Sequence, residues 1–214
     1  EPTDQPLRGR RRQLSRPPFQ IDETDGPRLT RAWVVHPDIK SGSGNRLPVN
    51  RLAEAVALAR ALPNLEVVGS EIAPLKTVRA GMLFGSGKIA SIKTSLQEND
   101  IELVLVDGPV SPVQQRNLEK EWGVKLLDRT GLILEIFSDR AATREGVLQV
   151  EMAALSYQRT RLVRAWTHLE RQRGGLGFVG GPGETQIEAD RRAIDEQLAS
   201  LKRQLSKVVK TRAL

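Results

Sequence analysis

The residues with the most distinctive chemistry lie in one short segment, residues 171–186. Six glycines fall within ten positions there, and arginines flank them on both sides. Glycine has no side chain to block approach to the backbone N–H groups, and guanidinium groups suit phosphate. These residue types therefore predict contact with an RNA backbone. The predicted RNA-binding residues are Arg171, Arg173, Gly174, Gly175, Gly177, Phe178, Gly180, Gly181, Gly183, Arg191 and Arg192.

The same segment offers apolar contacts and a helix start. Phe178 and Leu176 are candidates for stacking on unpaired bases or wedging against them. Thr185 followed by Glu188 fits a capping box, which predicts that a helix restarts at this point. The N-terminus of that helix would add a partial positive charge. A loop without function, a protein partner and a free nucleotide remain alternatives to RNA.

Leucines at heptad-like spacing on both sides of the glycines indicate the elements that carry them. Leu148, Leu155, Leu162 and Leu169 recur every seven residues. The second stripe is Ile187, Ile194, Leu198, Leu201, Leu205 and Val208. Two such stripes joined by a short loop predict an antiparallel helical hairpin, a coiled coil, over residues 142–214 with its tip at 174–183. Each arm would reach roughly 40 Å.

Basic side chains are numerous on both predicted arms, where they favour a role in following a phosphate backbone. A solvated helix face is the alternative interpretation. These side chains are Arg159, Arg161, Arg164, Lys202, Arg203, Lys207 and Lys210.

Short apolar runs alternate with amphipathic stretches in residues 29–141, which predicts a small parallel sheet flanked by helices. The predicted strands are 29–35 (ended by His36-Pro37), 65–68, 101–106 and 124–127, and their order cannot be read from the pattern. The predicted helices are 49–62, 88–97, 113–122 and 130–141. Residues 1–28 are rich in Pro, Arg, Asp and Gln and are predicted to be disordered or extended.

The charge of the chain is unevenly distributed. The net charge is +7 and the sequence pI about 10.1; residues 144–214 carry thirteen basic and eight acidic groups, whereas residues 32–143 carry thirteen of each. This balance favours an acidic partner, either nucleic acid or an anionic membrane surface. We expect a cytoplasmic chain without a membrane span, because no apolar run is long enough to cross a bilayer. Peripheral membrane association stays open.

Residue types also restrict the chemistry. The absence of cysteine excludes disulfides, thiolate metal sites and a cysteine nucleophile. The two histidines leave little scope for a zinc site or a catalytic triad, so we expect neither catalytic residues nor a metal site in this chain.

A second glycine pattern, Gly85-Ser86-Gly87-Lys88, does not fit a phosphate-binding loop. Met82 stands where that loop needs a glycine, and Ile89 stands where a Ser or Thr must hold magnesium. A tight turn that starts a helix is the simpler interpretation. A weak nucleotide contact through Gly85, Gly87 and Lys88 stays open.

The stretch 180–192 (GGPGETQIEADRR) closely resembles the signature of the HflX family of translation-factor-related GTPases. The stretches 85–88 (GSGK) and 128–137 (DRTGLILEIF) are similar to blocks of that family's N-terminal domain. The resemblance covers about residues 30–212. Residues 176–179 (LGFV) are more apolar than the family's usual tip.

The resemblance implies an α/β sheet subdomain followed by a long helical hairpin. It also implies binding to the large (50S) ribosomal subunit and its rRNA, with the hairpin tip directed at the peptidyl transferase centre. The full-length protein would split or rescue stalled ribosomes under stress. We expect the chain to be a monomer.

The resemblance also places a GTP-binding domain, with GTP and Mg²⁺, shortly after Leu214. Because residues 1–214 contain none of that domain's motifs, we expect this chain to hold no cofactor and not to hydrolyse GTP. ATP binding is associated with this region of the family, although no residue here indicates it. Two alternative functions are a coiled-coil module for protein interaction and a small nucleotide-binding domain that uses residues 85–88.

Overall fold

A computed structural model describes residues 29–39, 47–172 and 182–212, with side chains described outside 162–172, 182–188 and 212. Four strands and six helices are seen there. Their order is β1 (Thr30–Ile39), α1 (Pro48–Ala59), β2 (Leu65–Leu75), α2 (Ser86–Glu98), β3 (Leu103–Val106), α3 (Pro112–Trp122), β4 (Lys125–Asp128), α4 (Arg129–Arg140), α5 (Arg144–Gln172) and α6 (Pro182–Arg212).

The strands form one parallel sheet in the order β2-β1-β3-β4, which confirms the predicted α/β class. Helices α1 and α4 cover one face through residues such as Ala55 and Leu132. Helices α2 and α3 cover the other face through Ile92 and Leu118. The four residues of β3 are all buried because both faces of the sheet are covered.

Strand β1 continues beyond the predicted end at His36-Pro37, so that prediction was wrong. Val35 accepts a hydrogen bond from the backbone N–H of Asp107, on the β3 side of β1. Backbone N–H and C=O groups point to alternate sides of a strand from one residue to the next. The backbone nitrogen of Pro37, two residues after Val35, therefore also points to the β3 side of β1, where β3 has already ended at Val106. The missing N–H of Pro37 therefore leaves no partner unsatisfied, and β1 keeps pairing with β2 as far as Ile39.

Strand β2 is also longer than predicted, and its middle is shaped around Trp33. A Cβ on Gly69 would overlap the indole ring of Trp33, so only glycine fits there. The pairing of β1 with β2 shifts register at Ala32 and Trp33, which accommodates the ring.

Helices α5 and α6 pack against each other through a cluster of apolar side chains from both predicted stripes. Its members are Leu148, Met152, Leu155, Ile194, Leu198, Leu201, Leu205 and Val208. The side chains of Leu162, Leu169 and Ile187 lie outside the described part of the chain.

Helix α6 begins three residues before the predicted capping residue. Its first residue is Pro182, so Thr185 lies inside the first turn and does not cap the helix from outside. Proline suits the first helical position because its fixed φ is helical and its missing N–H would have no partner there. Gly183, which the sequence pattern assigns to the tip, belongs to α6 as well.

None of the helices in the described ranges is both long and apolar enough to cross a membrane.

Candidate nucleic-acid interface

One buried carboxylate joins the sheet to helix α5. Asp128, at the end of β4, accepts a hydrogen bond from the backbone N–H of Gly131 at 2.8 Å and thereby caps α4. The same oxygen accepts from the hydroxyl of Tyr157 at 2.6 Å. The second oxygen accepts from Nη1 of Arg161 at 3.2 Å. A single side chain therefore fixes both the start of α4 and the position of α5.

Arg161 extends this joint to helix α3. Its Nη1 also donates to the hydroxyl of Tyr157 at 2.6 Å and to the carbonyl of Val110 at 3.3 Å, and its Nη2 donates to Oε1 of Gln115. Gln115 in turn donates to the carbonyl of Leu126 in β4 at 2.8 Å. We call Asp128, Tyr157, Arg161 and Gln115 the α5 anchor.

The electrostatics of the α5 anchor favour a neutral phenol beside a charged pair. Burial and the hydrogen bond to Asp128 raise the pKa of Tyr157 above its usual value. The guanidinium of Arg161 lies 5.1 Å from the centre of the Tyr157 ring, which adds a cation–π contact. The three groups therefore hold each other in one arrangement and restrict the angle of α5 on the sheet.

Sequence patterns give no direct sign of the α5 anchor. Tyr157 and Arg161 are four residues apart, so they share one helix face, but the charge pattern alone favours a phosphate-binding surface there. Asp128 stands just before a predicted helix and could have been recognised as an N-cap. Its two further partners come from a distant part of the chain, where local patterns carry no information.

A second polar cluster lies at the carboxyl ends of β1 and β3, where the connections from the sheet diverge and α/β proteins commonly bind ligands. His36 Nδ1 lies 2.8 Å from Asp107, which accepts from Arg129 at 2.6 Å. Arg129 also donates to Glu54 of α1 at 2.5 Å, and these hydrogen bonds raise its pKa. The charges of this cluster are paired internally, and the adjoining cavity of about 10 Å³ is far too small for a nucleotide.

The basic residues of the predicted arms fall into two groups. On α5, Arg161 belongs to the α5 anchor, and Arg159 lies with its Nε 2.6 Å from the carboxylate of Asp195 in α6. On α6, Arg191, Arg192, Lys202, Arg203, Lys207 and Lys210 are all exposed. The side chain of Arg164 lies outside the described residues. Arg159 and Arg161 thus have acidic partners within the fold, whereas Arg144 at the start of α5 and the six α6 cations face solvent.

Most of the predicted RNA-binding residues cannot be placed. Residues 173–181 lie outside the described ranges, and for Arg171 the backbone alone, near the end of α5, is described. Arg191 and Arg192 follow them on α6 with exposed side chains. The assignment of the tip as an RNA contact stays a prediction.

The residues of the second glycine pattern lie at the start of α2. Gly85 precedes the helix in an extended conformation with φ −72°, and a Cβ on Gly85 or Gly87 would meet nothing within 4 Å. The ammonium group of Lys88 pairs with Glu71, whose other oxygen accepts from the indole N–H of Trp33 at 3.0 Å. Lys88 therefore has a structural partner within the fold.

Two family models match adjacent parts of this chain. The one described as GTP-binding GTPase N-terminal matches residues 49–138, and the one described as GTP-binding GTPase Middle Region matches residues 140–214. The boundary between them falls at the end of α4, close to the predicted change of subdomain near residue 141.

Curated proteins named GTPase HflX are similar over the same region. The protein from Magnetococcus marinus is 50% identical over 164 residues, which is 77% of this chain and 38% of that protein. The protein from Escherichia coli is 49% identical over 128 residues, which is 60% of this chain and 30% of that protein. The chain thus spans about a third of the length of these relatives.

Two solved structures share the fold. One is described as SsGBP in complex with GDP, with a TM-score of 0.61 and 19% identity over 86% of this chain and 46% of that chain. The other is a GTP-binding protein from the archaeon Sulfolobus solfataricus in complex with GDP, with a TM-score of 0.52 and 20% identity over 81% of this chain and 46% of that chain.

Proposed function

We propose that this chain, which belongs to the HflX family and corresponds to the N-terminal and middle regions of that family, binds the rRNA of the large ribosomal subunit. In this proposal α5 and α6 form an antiparallel hairpin that carries the glycine-rich segment 173–181. That segment enters an RNA-lined cavity, which the family resemblance identifies with the peptidyl transferase centre. The α/β sheet docks beside it.

The observation that carries the proposal is the α5 anchor. It fixes α5 to the sheet at Arg161, and residues 162–172 continue the helix for roughly another 16 Å. A glycine-rich segment that begins at Arg173, between two such helices, can be delivered to one place without the whole domain having to bend. The excess of positive charge in residues 144–214 supports a polyanionic partner.

For the full-length protein we propose GTP hydrolysis with Mg²⁺ in a further domain. The names of the relatives, all GTPase HflX, support that activity. The N-terminal and middle regions would then position the GTPase on the subunit, so that the whole protein splits or rescues stalled ribosomes under stress.

Sedimentation of the chain with purified large ribosomal subunits, at several salt concentrations, tests the proposal. We expect Arg171→Ala with Arg173→Ala to weaken binding by about tenfold or more. The magnitude of the slope of log affinity against log salt concentration should fall by roughly 1.4 to 1.8. The reason is that each phosphate contact releases counterions, and the variant makes two fewer contacts.

The matched control is Arg51→Ala with Lys125→Ala, which removes two exposed charges from the α/β sheet subdomain. The free energy of unfolding of each double variant should lie within about 0.5 kcal/mol of that of the parent. If the tip variant binds as well as the control, the tip does not contact RNA. If the parent itself does not bind large subunits, the proposed function is wrong.

A protein-interaction hairpin is the alternative, and it requires apolar residues on the outer surfaces of the two helices. Among the described side chains of α5 and α6, the large apolar residue found exposed is Val209. This observation favours the RNA proposal. The small nucleotide-binding alternative needs Lys88, which is already paired with Glu71.

A further inference from the structure

One face of helix α6 carries a straight line of unpaired positive charge. Arg192, Arg203 and Lys210 are separated by eleven and seven residues, close to three turns and two turns of an α-helix. The three side chains therefore project from one face, spread over about 27 Å of helix length. Lys207 lies on the edge of the same face. We call these four residues the α6 stripe.

The α6 stripe faces away from the rest of the protein. Leu198, Leu201 and Leu205 occupy the opposite face of α6, where they pack against α5. All four members of the stripe are exposed, and none forms an ion pair within the described residues. Among the α6 residues whose side chains are described, Glu196, one turn after Arg192, is the acidic residue on this face.

Structural roles do not account for the stripe. Arg203 and Lys207 are four residues apart, and Lys207 and Lys210 are three apart, so they repel each other along the helix. A cation near the helix C-terminus interacts favourably with the helix dipole, but this effect is confined to the last turn. It can explain Lys210, since α6 ends at Arg212, but not Arg192 or Arg203.

We propose that the α6 stripe binds the phosphate backbone of structured RNA, as a contact surface separate from the glycine-rich segment. This inference rests on the proposed function, because it assigns a second surface for the same rRNA partner. A rigid row of cations suits the regular spacing of a nucleic-acid backbone, and such contacts position a protein without reading sequence. The stripe would set the direction in which the helix pair enters the subunit.

A membrane surface fits this face less well. A helix that lies on a membrane needs an apolar face next to its basic face, so that it can bury that face among the lipids. On α6 the apolar face is already buried against Leu148, Met152 and Leu155 of α5. The exposed residues between the cations of the stripe include Ala199 and Ser206, which are too small to anchor the helix in lipid.

Binding of the chain to purified large ribosomal subunits over a salt series tests this assignment. The variant is Arg192→Gln, Arg203→Gln and Lys210→Gln together. The control is Arg51→Gln, Lys120→Gln and Lys125→Gln, which removes three exposed positive charges elsewhere. We expect the stripe variant to bind at least about tenfold more weakly than the control, with a log–log salt slope lower by roughly 2 to 3.

The outcomes separate this inference from the proposed function. A stripe variant that matches the control, while Arg171→Ala with Arg173→Ala still weakens binding, overturns the stripe and leaves the proposed function standing. A parent that does not bind large subunits overturns both. If the stripe variant binds subunits as well as the control, and the parent but not the stripe variant co-sediments with phosphatidylserine vesicles at the same salt concentration, the stripe belongs to a membrane contact and the RNA assignment is overturned. Thermal melts of the stripe variant and its control should coincide with that of the parent, since the side chains substituted in these two variants are exposed.

Discussion

Helices α5 and α6 pack against each other along one apolar cluster, yet their basic residues have different surroundings. Arg159 and Arg161 of α5 contact Asp195 and Asp128, and Arg161 is largely buried. Arg192 and Arg203 of α6 are exposed and have no ion-pair partner in the described ranges. The positive charges of Arg159 and Arg161 therefore stabilise the fold, whereas those of the α6 stripe are available to a partner. Counting basic residues along the sequence does not reveal this difference.

The largest effect that this comparison predicts is on Asp128. Asp128→Ala removes the cap of α4 and leaves the guanidinium of Arg161 buried without its carboxylate. Breaking a buried pair in this way costs about 3 to 5 kcal/mol, which urea unfolding would measure. The control Asp139→Ala alters an exposed carboxylate on α4 and should change stability by no more than about 0.5 kcal/mol. A loss below about 1 kcal/mol for Asp128→Ala would contradict the α5 anchor.

A smaller loss is expected for Tyr157→Phe, which removes the hydrogen bonds that the hydroxyl makes with Asp128 and Arg161 and should cost about 1.5 to 3 kcal/mol. The effect should depend on pH because the pKa of Tyr157 is raised in the folded protein. The stability that the hydroxyl contributes is full below the ordinary phenol pKa of about 10 and is lost as pH rises through the higher folded value.

Tyr157 is the single tyrosine of the chain, so ultraviolet absorbance reports its ionisation directly. We expect a higher titration midpoint in the folded protein than in the protein unfolded by urea. Equal midpoints in the two states would contradict both the burial of the phenol and its hydrogen bond to Asp128. The Tyr157→Phe variant serves as the blank.

The smallest stability effect is expected on the α6 stripe. Arg203→Gln with Lys207→Gln should leave the free energy of unfolding within about 0.5 kcal/mol of the parent, or raise it slightly, because two like charges four residues apart are removed. Arg159→Gln, which breaks the pair with Asp195, should instead lower it by about 0.2 to 1 kcal/mol. Thermal unfolding measures the stability of both variants. An equal loss of stability in the two would contradict the difference between the paired arginines of α5 and the exposed cations of α6.

Local patterns predicted much of the α/β part. The helices α2 and α3 begin and end within two residues of the predicted ranges, because their apolar residues recur at helical spacing. Strand β1 was predicted too short, since proline usually ends a strand. Its continuation depends on where β3 stops, which is a property of the neighbouring strand and not of β1.

In the candidate interface, too, some features could be predicted from the sequence and others depend on tertiary contacts. The glycine-rich segment and the excess of basic residues are visible in composition, and they indicate a polyanionic partner without any knowledge of the fold. Which arginines are free to meet that partner depends on contacts such as Arg161 with Asp128, thirty-three positions apart in the chain.

The sequence by itself determined the secondary-structure elements, the parallel class of the sheet and the sign of the charge on the helical part. These properties follow from neighbouring residues, through helical and strand periodicity and through composition. The tertiary structure decided the strand order, the α5 anchor and the outward direction of the α6 stripe. Each of these depends on which distant groups meet, and burial between them determines whether a charge is neutralised inside the protein or stays exposed to solvent.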